Sequence, residues 1–411
     1  MSLKSSLPPK LDIDEVIAAG ELAIAQESAA IAIADDHNSF ALTLHAALTR
    51  HQGNLLWSPL SVRTALAMTY AGARGETANE FQAVLRASKS GERFHEDWSA
   101  TIGRLASTSD TTYELAVANS LWTQADAPIL PAFSEAMARY YRAAAEATDF
   151  ERDPDAAREA INGWVSARTN RRIHSLLSPP LPARDTRLML LNAVYFKGLW
   201  ERAFDRRDTR DAPFFREDGA EVQAPLMYQR TEVGYREGGS FQAITLPYRR
   251  VSLAMLVLLP DRGRTLEDVE GRLTVSMVRE LAVMRATTNA EVFLPRFKVS
   301  WGPVDVVDAL RAIGVRRAFT RQANFSRINN HEPPDPRALF VSTVLHKAVS
   351  EVNEEGTEAA AASAVCTLAT GTTPVRRPVF RADRPFLFAI VDTKSGLVLF
   401  LGRVLDPARS G

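Results

Sequence analysis

Residues 353–364 read Asn353-Glu354-Glu355-Gly356-Thr357-Glu358-Ala359-Ala360-Ala361-Ala362-Ser363-Ala364. By local propensity this is a helix: Thr357 can cap it, Glu354, Glu355 and Glu358 suit a first turn, and four alanines follow. The run nevertheless has no apolar stripe with which such a helix would dock on a core. As a strand it puts only small side chains on one face: Thr357, Ala359, Ala361 and Ser363. A segment that must slide into a sheet and bury one face has this composition. The stretch alone favours the helix, and its surroundings reverse that reading.

Downstream, residues 366–384 are rich in Thr, Gly, Pro and Arg and read as an exposed connection. Phe386–Asp392 and Leu397–Val404, joined by Thr393-Lys394-Ser395-Gly396, then form a C-terminal hairpin. Upstream, Leu188–Phe196 and Val251–Leu259 are continuous apolar runs that suit strands covered on both faces, and Pro260-Asp261 stops the second. Val292–Val299 reads as one further strand. The first half is helical in pattern. Asn38–Leu48 is one helix, and Ser61–Ala73 is another, entered through Ser58-Pro59 and left near Gly72 and Gly75. Residues 131–146 carry Phe133, Met137, Tyr140 and Tyr141 at helical spacing, and residues 154–173 form a helix around Trp164, Val165 and Ile173. Helices first and strands later, without βαβ alternation, predict an α+β fold with mainly antiparallel sheets. Residues 1–37, alanine-rich around Ile13, Val16, Ile17, Leu22 and Ile24, read as a helical extension. Residues 38–411 read as one domain without a linker-like break.

The chain has 411 residues, 46% hydrophobic and 24% charged, with 49 basic and 49 acidic residues. Zero formal net charge gives no global pull toward nucleic acid or an anionic membrane. The single cysteine, Cys366, allows no intramolecular disulfide. Asp12, Asp14 and Glu15 interrupt any signal-type apolar segment, and no later run has transmembrane length, so the expectation is a cytoplasmic protein. An extracellular protein whose signal peptide had been removed would read the same.

Enzyme signatures fail one by one. G-x-S-x-G, G-x-G-x-x-G, the Walker loop and H-E-x-x-H are missing, and His331-Glu332 is followed by two prolines. The seven histidines are scattered, with no cysteine-rich set to complete a zinc site. Cys366 lacks a neighbouring base that would make it a nucleophile. The expectation is a protein that is not an enzyme and uses neither metal nor cofactor.

Residues Val341-Ser342-Thr343-Val344-Leu345-His346-Lys347-Ala348-Val349-Ser350-Glu351-Val352 run into Asn353 and the stretch quoted above. This whole segment closely resembles the signature of the serpins, the serine protease inhibitors. Asn54-Leu55-Leu56-Trp57-Ser58-Pro59-Leu60-Ser61 and Leu191-Asn192-Ala193-Val194-Tyr195-Phe196-Lys197-Gly198-Leu199-Trp200 resemble other family segments in order and spacing. So do Leu294-Pro295-Arg296-Phe297, Asp383-Arg384-Pro385-Phe386 and Gly402-Arg403-Val404-Leu405-Asp406-Pro407. The resemblance covers about residues 38–407.

It implies three mainly antiparallel sheets, eight or nine helices and an exposed reactive loop over residues 354–384. It also implies inhibition of serine, or else cysteine, endopeptidases by a monomer acting as a suicide substrate. The hinge is then Glu354, Gly356, Thr357, Glu358, Ala359, Ala360, Ala361 and Ala362, with Thr357 leading a strand into the large sheet. Family spacing puts the bait bond at Thr370-Gly371, with Leu368 and Ala369 as alternatives one or two residues back. Thr370 and Ala369 suit elastase- or subtilisin-like proteases, and Leu368 suits a chymotrypsin-like one. Arg376-Arg377 resembles trypsin bait but lies six residues beyond Thr370. Ser58, Ser61, Asn192 and His346 match a polar cluster that controls strand opening, and Trp200 and Arg296 match the mouth where the hinge enters. The rival within the family is a carrier or chaperone, whose hinge tends to carry bulky, charged or proline residues that Thr357–Ala364 lacks beyond Glu358.

Overall fold

The computed structural model describes residues 13–50, 53–87, 91–106, 112–357 and 377–409. The chain begins with α1 (Ile13–Leu48), β1 (Leu55–Trp57), α2 (Pro59–Gly72), α3 (Gly75–Val84) and α4 (Glu92–Ala106). Then come β2 (Tyr113–Gln124), α5 (Pro131–Ala136), β3 (Ala144–Thr148), α6 (Pro154–Arg168) and β4 (Leu188–Leu199). Four strands follow: β5 (Arg210–Phe215), β6 (Glu221–Gly238), β7 (Phe241–Pro247) and β8 (Leu253–Pro260). After α7 (Leu266–Glu270) and α8 (Val275–Ala282) come β9 (Thr288–Pro295), β10 (Phe297–Asp305), α9 (Val307–Ile313) and α10 (Ser326–Asn329). The last strands are β11 (Val341–Asn353), β12 (Gly356–Thr357), β13 (Val379–Arg381), β14 (Phe386–Asp392) and β15 (Val398–Val404).

Local chemistry explains several of these boundaries. The Ser58 hydroxyl accepts a hydrogen bond from the Ser61 amide, and Pro59 occupies the first turn, so α2 starts there. Almost every residue of α2 is buried, which makes it the central helix of the core. The helix anticipated from Asn38 is the C-terminal part of a longer one: α1 runs unbroken through His37, and its residues from Ala34 onward enter the core. The apolar spacing over residues 131–146 belongs to α5 and a π-helical turn over Met137–Tyr141, after which the chain turns at Arg142 and leaves as β3. Val292–Val299 is not one strand. Arg296 divides it into the end of β9, paired with β6, and the start of β10, paired with β11.

A six-stranded sheet runs in the order β10-β11-β12-β4-β2-β3. A nine-stranded sheet runs β1-β15-β14-β8-β7-β6-β9-β13, with β5 added beside β6. The long strand β6 joins two halves of it, pairing through Leu226–Val233 with β9 and through Gly234–Gly238 with β7. Pairing is antiparallel except for β11–β4, β2–β3 and β13–β9. The main core lies between the sheets and around α2. A second, smaller core forms where Ala157, Ile161 and Val165 of α6 cover Met189, Leu191 and Ala193 of β4 and Leu345 of β11. The junction between β4 and β11 is therefore packed on both faces.

Candidate functional site

β4 and β11 run parallel from Leu188 opposite Val341, with one register shift before Thr343, and then residue for residue from Met189 opposite Thr343 to Tyr195 opposite Val349. Beyond that level they part. The chain turns back after Asn353 and slots Gly356 and Thr357 between them as β12. Thr357 lies opposite Val352 on one side and Gly198 on the other, and Gly356 lies opposite Asn353 and Leu199. The first two residues of the small-residue segment are thus already strand, antiparallel to both neighbours. A Cβ on Gly356 would sit 2.1 Å from the Gly198 carbonyl oxygen and 2.8 Å from the Leu199 Cα, so only glycine fits.

Thr357 is fully buried. Its hydroxyl shares a 2.7 Å hydrogen bond with the Tyr248 hydroxyl. The Tyr248 ring stacks on Trp200 at 4.8 Å and 11°. Burial pushes the Tyr248 hydroxyl far above its ordinary pKa, so it stays protonated. The Trp200 indole N–H donates to the Asn353 carbonyl at 3.0 Å, and the Trp200 and Phe204 amides donate to the carbonyls of Glu355 and Glu354. Three successive carbonyls of the turn, those of Asn353, Glu354 and Glu355, are thus held.

Two consecutive carboxylates sit at this turn. Glu354 is 2% exposed, while its partner Arg296 is 41% exposed. Arg296 Nε donates to both Glu354 oxygens at 2.7 and 2.8 Å, and the Thr209 hydroxyl donates at 2.5 Å. Burial raises the Glu354 pKa, but the bonds from Arg296 and Thr209 outweigh it and hold the carboxyl below its ordinary value. Because the carboxylate is buried, this pair is of the kind in which removing one partner strands a charge. Glu355, 6% exposed, takes one bond from Arg206 at 2.7 Å, and its other oxygen is buried without a partner among the described residues.

Lower on the same junction, a chain of polar side chains crosses three strands. His346 of β11 lies opposite Asn192 of β4, which lies opposite Asn119 of β2. The Ser58 amide donates to His346 Nε2 at 3.3 Å, which leaves Nδ1–H to donate to Asn192 Oδ1. The Asn192 amide donates to Ser61 Oγ and Asn119 Oδ1, Ser61 Oγ donates to Asn119 Oδ1 at 3.0 Å, and Ser58 Oγ donates to the Leu399 carbonyl at 2.7 Å. Burial lowers the His346 pKa to about 3, so the ring is neutral. The His346–Asn192 bond joins β11 to β4 and holds only while those two strands stay adjacent.

The structure thus gathers Ser58, Ser61, Asn192 and His346 into one network, and Glu354, Gly356, Thr357, Trp200 and Arg296 into another. Glu358, Ala359, Ala360, Ala361, Ala362, Cys366, Leu368, Ala369, Thr370, Gly371 and Arg376 lie outside the described residues. Sequence reasoning missed Asn119, Tyr248, Thr209 and Arg206. An asparagine inside the apolar strand Tyr113–Gln124 was a usable signal for the first. The other three are joined to the site by tertiary contact alone. Among the described residues no group of three or more His, Cys, Asp or Glu side chains could hold a metal ion, and no helix is long and apolar enough to cross a membrane.

A profile described as "Serpin (serine protease inhibitor)" matches residues 35–407. The chain belongs to the serpin family. It is 35% identical to an uncharacterised serpin-like protein of Thermococcus kodakarensis, over 90% of this chain and 84% of that one. It is also 35% identical to mouse (Mus musculus) neuroserpin, over 88% of each chain. Among solved structures, the thermophilic serpin tengpin in its native state superposes with a TM-score of 0.82 at 28% identity, over 91% of this serpin and 94% of tengpin. In this serpin the expected three sheets correspond to the six-stranded sheet and the two halves joined by β6.

Proposed function

We propose that this serpin inhibits serine endopeptidases as a suicide substrate: the protease cuts the loop, and the hinge strand zips into the junction between β4 and β11 before the acyl-enzyme can hydrolyse. The observation that carries the reading is β12, a two-residue start of that strand in the register that insertion needs. Each residue further along the hinge moves one residue back along β4. Thr357 opposite Gly198 then puts Ala359 opposite Phe196, Ala361 opposite Val194 and Ser363 opposite Asn192. The same step along β11, from Thr357 opposite Val352, puts Ser363 opposite His346. Small side chains would reach every inward position, and a serine would arrive where the Asn192–His346 bond must open.

The sheet's length also bears on the bait. On this register Thr367 falls opposite Leu188, where β4 begins. The inserted strand would end within a few residues of Thr370-Gly371, close enough to pull a protease acylated there against the foot of the sheet. A cut after Arg376 would leave nine residues of slack beyond Thr367, which favours Thr370, or Ala369 or Leu368, over the arginine pair. Elastase-, subtilisin- and chymotrypsin-like enzymes are the proposed targets, with trypsin disfavoured. The test is incubation with one enzyme of each type, gel analysis for a detergent-stable complex, and mass spectrometry of the released peptide. A stable complex with a cut at 368–370 is expected. Cleavage of the loop by all four enzymes without any complex would leave the carrier reading in its place.

A further inference from the structure

Arg63, on α2, is 2% exposed. Its Nη2 donates to the Leu85 carbonyl at 2.7 Å, while Nε and Nη1 are buried and find no hydrogen-bond partner among the described residues. Among the described residues no carboxylate lies within ion-pair distance of it. The Asp36 carboxylate and the Phe94 and Trp98 rings offset its charge only in part, since burial still lowers the Arg63 pKa to about 10. The group lines a cavity of about 90 Å³ between α1, α2 and α4. Trp98 forms one wall: the Arg63 guanidinium stands 4.3 Å from its ring centroid, His37 stacks on it at 5.3 Å, and its indole N–H is fixed on the Thr64 hydroxyl at 3.1 Å. Phe94 and the aliphatic side chain of Ile33 add apolar surface, and Arg86 brings a second cation.

We infer that this cavity binds a small monoanion with an apolar body, a short-chain carboxylate, on Arg63. Two arginines supply the charge, and the unused N–H groups of Arg63, which solvent does not reach in this conformation, would become donors by a rotation of the guanidinium toward the cavity. Trp98, Phe94 and Ile33 would take the hydrocarbon end. The volume has room for several waters or for one small organic anion. Two acids also line the cavity. Asp97 is engaged by Arg93 at 3.2 Å. Burial holds the Asp36 carboxyl above its ordinary pKa, against the pull of Arg63 and Arg86. His37 is no counter-ion or competing cation, since burial and Arg63 keep it neutral, its pKa lowered to about 3.

The test uses the full chain in propionate, acetate, chloride or phosphate at matched ionic strength. Saturation-transfer NMR on the propionate methyl group reads binding, and thermal unfolding reads its effect on the fold. Propionate and acetate are expected to raise the melting temperature above that in chloride, with transfer to the methyl group. Arg63→Gln is expected to weaken propionate binding at least tenfold. Ala32→Phe, at an exposed position on the cavity's rim, should close the mouth with Arg63 intact and have the same effect, and it decides the matter if Arg63→Gln does not fold. Methyl transfer that survives Ala32→Phe, or melting temperatures equal in all four salts, overturns the proposal. Protection by chloride or phosphate without carboxylate binding overturns its ligand class.

Discussion

At Thr357 one hydroxyl ties β12 to the segment that follows β7, through Tyr248 and the stacked Trp200. The site is fully buried, so Thr357→Arg would place an unpaired cation against two aromatic faces, at a cost of several kcal/mol. The variant is expected to leave the junction unfilled, expose Trp200, and be cleaved as a plain substrate. Detergent-stable complex should fall by at least tenfold while the cleavage rate holds, as read by gel densitometry, and an undiminished complex would defeat the insertion mechanism. Thr357 was legible from sequence because smallness at alternate positions is a property of the residues themselves. Tyr248 was not: nothing in Leu246-Pro247-Tyr248 says which strand its hydroxyl will meet. Asn119 lies between these cases, since an amide in an apolar strand needs a partner, but only the register of β2 on β4 names it.

On the proposed mechanism the element that decides function is the junction of β4 and β11, and α6 covers it. Ile161 of α6 is fully buried over it. Ile161→Ala removes three carbons from a closed contact and is expected to lower native stability by about 2–5 kcal/mol, measured by urea unfolding. Loosening the cover should also speed strand insertion, so that inhibition proceeds with less substrate turnover. A variant that loses stability and shows unchanged partitioning between complex and cleaved product would show that α6 does not gate the junction. Periodicity located β4, β8, β14 and β15 well because each is one apolar run. It failed at β9 and β10, where a chain of uniform strand character changes sheets at Arg296, a residue chosen by Glu354 from elsewhere in the sequence. It also divided α1 at His37, where the pattern changes from exposed to buried although the backbone does not.

On the proposed mechanism, the intact molecule as a whole is held short of a better-paired state. Filling the junction breaks one ladder, β4 with β11, and makes two, a net gain of about one backbone bond per residue inserted. Over residues 358–367 that amounts to roughly 10 kcal/mol at about 1 kcal/mol per bond. For a chain of this length the loop-cleaved protein is expected to melt roughly 10–15 °C above the intact one, and equal melting temperatures in scanning calorimetry would contradict insertion. The intact state should also weaken in acid. Burial lowers His37 and His346 to about 3 and His95 to about 4, from an ordinary value of 6.5. Their folded pKa values lie below the unfolded one, so between these limits the unfolded chain binds the extra protons. The stability these rings contribute is therefore complete above pH 6.5 and is lost as pH falls toward 4. Glu354, held below its ordinary value, adds a loss of the same sign only at lower pH. Asp36 and Asp305, raised by burial, act in the opposite sense. Melting temperature should be level from pH 7 to 8 and decline steadily below 6.5. In His346→Gln, whose amide can still accept from Ser58 and donate to Asn192, the slope should be shallower by about one proton in three. An unchanged slope in that variant would mean that the junction stays shut when the ring is protonated.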